Sequence, residues 1–173
     1  LGKTTGDFEA AEFHAREAVQ LSAGDEKTNK EARTQLAATI HLKHTASYNR
    51  KQWVNPCINE NRFNANQVFS AHYPGISVLF TNDLDGGGRR LMKDYLDFVK
   101  ERYGHVEDLF EWCTGPGFLG YAMLAHGFTD RLCLADINPK AVYFAQKTRA
   151  ANCLEDKVDI YLSDNLDQIP ESQ

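Results

Sequence analysis

The sequence predicts an α/β protein: a helical N-terminal region, then the first three parallel strands of a doubly wound sheet with the helices that join them. Three observations predict it. Residues 106–162 alternate short β-rich runs with segments of helical period through short links, which is the pattern of a parallel sheet with right-handed crossovers. Glu111-Trp112-Cys113-Thr114-Gly115-Pro116-Gly117 puts a glycine turn directly after the first run, opening a helix. Each run also carries an acid at or just past its carboxyl end: Glu111, Asp136 and Asp164. In such sheets ligands lie beyond the carboxyl ends of the strands.

Taken in order, residues 8–21 place Phe8, Ala11, Ala15, Ala18 and Val19 on one helical face, with Asp7 as cap. Gly24-Asp25 breaks the pattern, and a second helix is expected from about Thr28 to Ser47, with Ala32, Leu36 and Ile40 on its stripe. Asn49 to Tyr73 is polar and asparagine-rich and reads as irregular. Ile76–Phe80 is a short strand after Pro74-Gly75. Three glycines, Gly86, Gly87 and Gly88, lead into a helix from Arg89 to Tyr103, in which Met92, Tyr95, Leu96 and Val99 recur at three and four. Gly104 stands where a C′ glycine belongs. Strand one is Val106–Trp112, followed by a helix at Phe118–His126. Strand two is Arg131–Ala135, with a helix from Pro139 to Asn152 whose proline suits its first turn. Strand three is Val158–Leu162. Residues 1–104 are thus expected to form a helical region with a linker and a lead-in helix, and 105–173 a partial nucleotide-binding domain.

Of the 173 residues 42% are apolar, and no run approaches the roughly 18 that span a membrane. Residues 1–30 hold no apolar core after a basic start, so no signal peptide is predicted. The chain begins at Leu1 and not at methionine, from which a preceding segment is expected. Cys57, Cys113, Cys133 and Cys153 lack metal-ligand or disulfide spacing and read as buried thiols of a reducing compartment, the cytoplasm. The net charge is −5, but residues 27–62 carry seven Lys/Arg against Glu31 and Glu60. That stretch is a solvated helix face with a loop, or else a surface that steers toward RNA.

Gly115-x-Gly117-x-x-Gly120 matches the dinucleotide fingerprint, with an acid at a suitable distance. Glu111, four residues before Gly115, argues for a different ligand, since a carboxylate there repels a pyrophosphate and suits a cationic amine. Asp136-Ile137-Asn138-Pro139 and Ser163-Asp164-Asn165 add acceptors suited to a ribose diol and an exocyclic adenine amine. Together they imply adenosine without phosphate. Asp85-Gly86-Gly87-Gly88, leading into a helix, offers backbone amides to an anion such as a carboxylate, or is simply a linker to a capped helix.

With these motifs, residues 106–167 resemble the first half of a class I S-adenosylmethionine-dependent methyltransferase with its Rossmann-like sheet. They are most similar to the group that includes release-factor glutamine and rRNA guanine-N2 methyltransferases. That group reads Asp-Leu-Gly-Thr-Gly-Ser-Gly at the first loop, Asp-Ile-Asn/Ser-Pro-x-Ala at the second and Ser-Asp at the third. This chain reads Glu111-Trp112-Cys113-Thr114-Gly115-Pro116-Gly117, Asp136-Ile137-Asn138-Pro139-Lys140-Ala141 and Ser163-Asp164. The resemblance implies S-adenosyl-L-methionine as cofactor. Glu111 then acts at the methionine amine, and the backbone at Cys113, Gly115 and Gly117 passes under the methionine moiety. Asp136 accepts from the ribose hydroxyls, while Asn138 assists there or caps the next helix. Asp164 accepts from the adenine amine, and the Asn165 backbone N–H donates to a ring nitrogen. Cys113 departs from the pattern, standing where the family has glycine. Trp112 and Phe118 are expected to pack and not to carry the adenine.

The family's Asn-Pro-Pro-Tyr acceptor motif follows the third-strand acid by some 15–25 residues. No Asn-Pro-Pro occurs in this chain, so no catalytic residue is assigned. A full sheet of this class has about seven strands, and the three here are expected to be part of a longer one, inactive alone. Their first strand would keep an open edge, covered by a second copy or by the N-terminal helices. The implied activity is methyl transfer to a nitrogen of a protein or RNA. An NAD(P)-binding oxidoreductase fragment and a non-enzymatic interaction module on a degenerate nucleotide fold are the alternatives.

Overall fold

The computed structural model describes residues 5–46, 68–85 and 88–170. Helices α1 (Thr5–Leu21) and α2 (Glu26–Ala46) precede a hairpin of β1 (Val68–Tyr73) and β2 (Ile76–Thr81). A 3-10 turn at Asn82–Leu84 leads to α3 (Gly88–Arg102). Then come β3 (Val106–Trp112), α4 (Phe118–Ala125), β4 (Thr129–Asp136), α5 (Pro139–Ala151) and β5 (Val158–Leu162), with a last 3-10 turn at Leu166–Gln168. The chain is therefore α/β, with a parallel sheet in the order β3-β4-β5. Among the described residues no helix is long and apolar enough to cross a membrane.

Two expectations at the N-terminus are corrected. Asp7 lies inside α1 and does not precede it. The second helix begins at Glu26 because Asp25 serves as its cap, one carboxylate oxygen accepting the Lys27 N–H at 3.2 Å and the other the Thr28 hydroxyl. The asparagine-rich stretch also ends in a strand that composition concealed. β1 pairs antiparallel with β2 in a register that sets Phe69 against Phe80, Ala71 against Val78 and Tyr73 against Ile76. Cross-strand apolar pairs of this kind are what a short hairpin gains by forming, and Gly75 at φ +73° makes the turn. The remainder of the expected irregular segment, 49–67, lies outside the described residues, and Cys57 with it.

The hairpin is the keystone between the helical pair and the sheet. Ile76, Val78 and Phe80 of β2 enter a buried cluster with Phe118, Tyr121, Ala122, Leu132, Leu134, Ala145 and Val158. Leu79, on the other face, joins Ala15 and Val19 of α1, Leu36 and Ile40 of α2 and Phe144 of α5. β2 thus stands between two apolar clusters, one shared with the parallel sheet and one with the helical pair.

β2 has β1 on one side only, and α5 satisfies its other edge. The Asn152 amide accepts the Ser77 N–H at 2.9 Å and donates to the Ser77 carbonyl at 2.9 Å, while the Thr148 hydroxyl accepts the Leu79 N–H at 2.8 Å. Asn152 and Thr148 are both buried. Asn152→Ala leaves two buried backbone groups of Ser77 without a partner and is expected to cost about 2–4 kcal/mol in a urea melt. A loss below about 1 kcal/mol would mean that α5 does not close this edge.

At the far side of the fold β3 is the edge of the parallel sheet. The expectation that the N-terminal helices fold across it is not met: α1 and α2 pack on the hairpin and on α5, because Leu79, Val68 and Phe144 offer their apolar faces there. α4 and α5 both cover the Leu132–Leu134 face of the sheet. Phe110 and Trp112 point to the opposite face and stay 42% and 38% exposed. For Trp112 the expected packing role is thus corrected, whereas Phe118 is buried as expected.

Candidate functional site

Strands β3, β4 and β5 run parallel, so their carboxyl ends lie on one rim, and the loops that follow build the site there. After Trp112 the chain turns through Cys113 at φ +56°, Gly115 at φ +57° and Gly117 at φ +86°. All three lie in the left-handed region that an L side chain occupies at a cost of about 1 kcal/mol or more. The backbone conformation at Cys113 is one that glycine favours. This also corrects the reading of Cys113 as a buried thiol. The turn lifts its side chain out of the sheet, and it is exposed, while Cys133 in the middle of β4 is buried.

Glu111 does not extend into solvent from the strand end. One carboxylate oxygen, Oε2, accepts from the Thr114 hydroxyl at 2.9 Å and from the Gly120 N–H, in the first turn of α4, at 2.9 Å. Glycine at 120 makes this possible, since a Cβ there would stand 2.7 Å from that oxygen and 2.8 Å from Leu132 Cδ1. Burial, reinforced by the Asp136 charge, raises the Glu111 carboxyl to about 7 against the pull of its two donors.

Asp136, at the end of β4, is buried and closes the rim. Its Oδ2 accepts the Gly115 N–H at 2.7 Å and its Oδ1 accepts the Asn138 N–H at 2.8 Å. Each oxygen has a second lone pair and can accept one bond more. Asn138 caps α5, its side chain accepting the Lys140 N–H at 3.0 Å. Asp164, past β5, is exposed and follows the buried Ser163. Asn165 caps the last 3-10 turn through the Asp167 N–H at 2.9 Å, and its own N–H makes a long 3.4 Å contact with the Ser163 hydroxyl.

Glu111, Cys113, Gly115, Gly117, Asp136, Asn138, Asp164 and Asn165 therefore share one rim. Asp85 is half-buried at the end of the hairpin's 3-10 turn, and Gly88 opens α3. Gly86 and Gly87 lie outside the described residues. Thr114 was not singled out from the sequence. Its hydroxyl three positions after a strand-end carboxylate is the signal that marks it.

The amides of the glycine loop are spent inside the protein: Gly115 on Asp136, Gly117 on the Thr114 carbonyl at 3.0 Å, and Gly120 on Glu111. In a dinucleotide site such amides face a pyrophosphate. Here a carboxylate sits against the first turn of the helix, and the rim is lined by acceptors. Above Gly115, by contrast, nothing among the described residues lies within 4 Å of where a Cβ would stand. The basic stretch is partly used for folding: Lys43 pairs with Glu12 at 2.9 Å, and Arg33 donates to the carbonyls of Asn152 and Cys153 at 3.2 and 2.9 Å. Arg50, Lys51 and Arg62 lie outside the described residues. No protein-family model matches this chain, and no curated protein is significantly similar to it.

Proposed function

We propose that this protein binds S-adenosyl-L-methionine on the β3–β5 rim and belongs to a cytoplasmic methyltransferase with a class I Rossmann-like sheet, acting on a nitrogen of a protein or RNA. The observation that carries the reading is the position of Glu111. Its carboxylate holds the first-turn amide of α4, where a dinucleotide would place its pyrophosphate, and this favours a ligand with a cation over one with a phosphate. Asp136 keeps acceptor capacity for a ribose diol beside it. Asp164 and the Asn165 N–H stand one strand further along for an adenine edge, and the open side of Gly115 admits the chain that links amine to sulfur.

The cofactor supplies an electrophilic methyl group on a sulfonium, and this chain's residues bind and orient it. Methyl transfer further requires an acceptor held in line with that methyl group. β3's open edge is a further part of the reading, as a surface on which a second copy can pair.

Calorimetry with S-adenosylhomocysteine and with NAD separates the cofactor reading from the oxidoreductase alternative, the first being expected to bind and the second not. Asp164→Ala is expected to weaken S-adenosylhomocysteine by about 1–2 kcal/mol without changing the melting temperature, because its carboxylate is exposed and the adenine amine is its ligand. Binding of NAD alone would reverse the choice, and binding of neither ligand would support the non-enzymatic module.

A further inference from the structure

Asp83 and Lys140 have no role in the reading above, yet they tie the 3-10 turn after β2 to the helix that follows Asp136. Asp83 belongs to the 3-10 turn Asn82–Leu84, and Lys140 to the first turn of α5. The Lys140 ammonium donates to both Asp83 carboxylate oxygens, at 2.9 and 2.7 Å. One helical turn along α5, Phe144 is buried in the cluster against which Leu84 packs. Residues 140 and 144 lie on one face of the helix, so the turn is held to that face by an ion pair outside and an apolar contact beneath. That face starts at the rim, since Asn138 caps α5 and Asp136 lies two residues earlier. The Asp85 N–H donates to the Asn82 carbonyl at 3.2 Å and closes the turn, so whatever holds Asp83 also holds Asp85.

We propose that the Asp83–Lys140 ion pair is a positioning element that sets the 82–85 turn against the ribose end of the S-adenosylmethionine site. The inference rests on the cofactor reading. In support, the Lys140 ammonium holds the Asp83 carboxyl below its usual range. The two residues are 48% and 39% exposed, so the pair contributes little to stability, and its effect belongs in binding.

Charge distinguishes positioning from a purely structural role. S-adenosylmethionine carries one net positive charge and S-adenosylhomocysteine none. Removing Asp83 uncovers an ammonium beside the rim and penalises the sulfonium ligand more than the thioether. A residue that only held the fold together would affect both ligands alike and lower the melting temperature.

The test is calorimetry of the whole chain with both ligands, for Asp83→Asn, Lys140→Gln and the charge swap Asp83→Lys with Lys140→Asp. Each single variant is expected to weaken S-adenosylhomocysteine by about 3–5-fold at an unchanged melting temperature, the most that an exposed ion pair supplies. Asp83→Asn is expected to disfavour S-adenosylmethionine by about a further 2–3-fold, and the swap to restore binding to within about 1.5-fold. Single variants that bind as the wild type does, or a swap that leaves binding as weak as the singles, overturn the proposal. A wild-type chain that binds neither ligand removes the cofactor reading itself, a result visible before any variant is compared.

Discussion

Gly117→Ala is expected to cost about 3–5 kcal/mol, most of the stability of a domain this size, and to yield a largely unfolded chain. Two effects add. At φ +86° an L side chain is strained by about 1 kcal/mol. The added Cβ would also stand 2.7 and 2.8 Å from two ring carbons of Tyr121 and 3.0 Å from Leu134 Cδ1. The ring has nowhere to retreat, because Tyr121 is fully buried and its hydroxyl donates to the Ala145 carbonyl at 2.7 Å, tying α4 to α5. Gly115→Ala is the control. Its φ is +57° but the space beside it is open, so only about 1 kcal/mol is expected. Urea denaturation of both variants checks the contrast, and equal losses would show that the loop does not pack against α4 as described.

Glu111→Gln is expected to stabilise the protein by about 2–3 kcal/mol at pH 8 and to give no gain near pH 4. The sign follows from the direction of the shift. The native carboxyl titrates at about 7 and the unfolded one near 4.5, so between these values the native state holds a proton that the unfolded state has released. Stability is therefore lost as pH rises through that window. Above it, a buried charge is carried at full cost. The glutamine carbonyl can still accept from Thr114 and Gly120 without that charge. The same change should weaken S-adenosylhomocysteine by about 1–3 kcal/mol, since the ligand's ammonium loses an anionic partner. In the wild type, affinity should fall by up to about tenfold per pH unit below 7, as protons compete for Glu111. Thermal melts and calorimetry from pH 4 to 8 read both effects. A variant that is stabilised but binds ligand as before would leave Glu111 a structural carboxylate. A variant destabilised at pH 8 would show that its charge supports the fold.

A variant that gains stability and loses ligand would mark a site that trades stability for a poised anion. Burial opposes the Glu111 charge, a cost that a cationic ligand would relieve. Asp136 is different in kind. It holds two backbone N–H groups that shape the loop, so its removal should damage fold and binding at once, whereas exposed Asp164 allows binding to be tested alone.

Much of this architecture was legible in the chain before any coordinates. The boundaries of β3 and β5 agree with the sequence reading, and α4 and α5 differ from it by one residue at their ends. Period-two and helical patterns report burial directly, and Pro139 and Gly127 punctuate them. Strand ends also place acids without tertiary information: once three strands are parallel, Glu111, Asp136 and Asp164 must share a rim. Asn138 as a cap follows from its position before proline.

What the tertiary structure alone decided concerns partners distant in sequence. β1 is a strand because β2 faces it in an apolar register, although its approach is rich in asparagine. The course of α1 and α2 over the hairpin and not over β3 was settled by which apolar faces fit together. The same holds for Asn152 closing β2, for Lys140 reaching Asp83, and for Glu111 turning back to Gly120. Local periodicity records how each residue meets its own element and the solvent. It does not record which of several distant groups will satisfy a buried N–H, carbonyl or charge, because that choice depends on the packing of all elements at once.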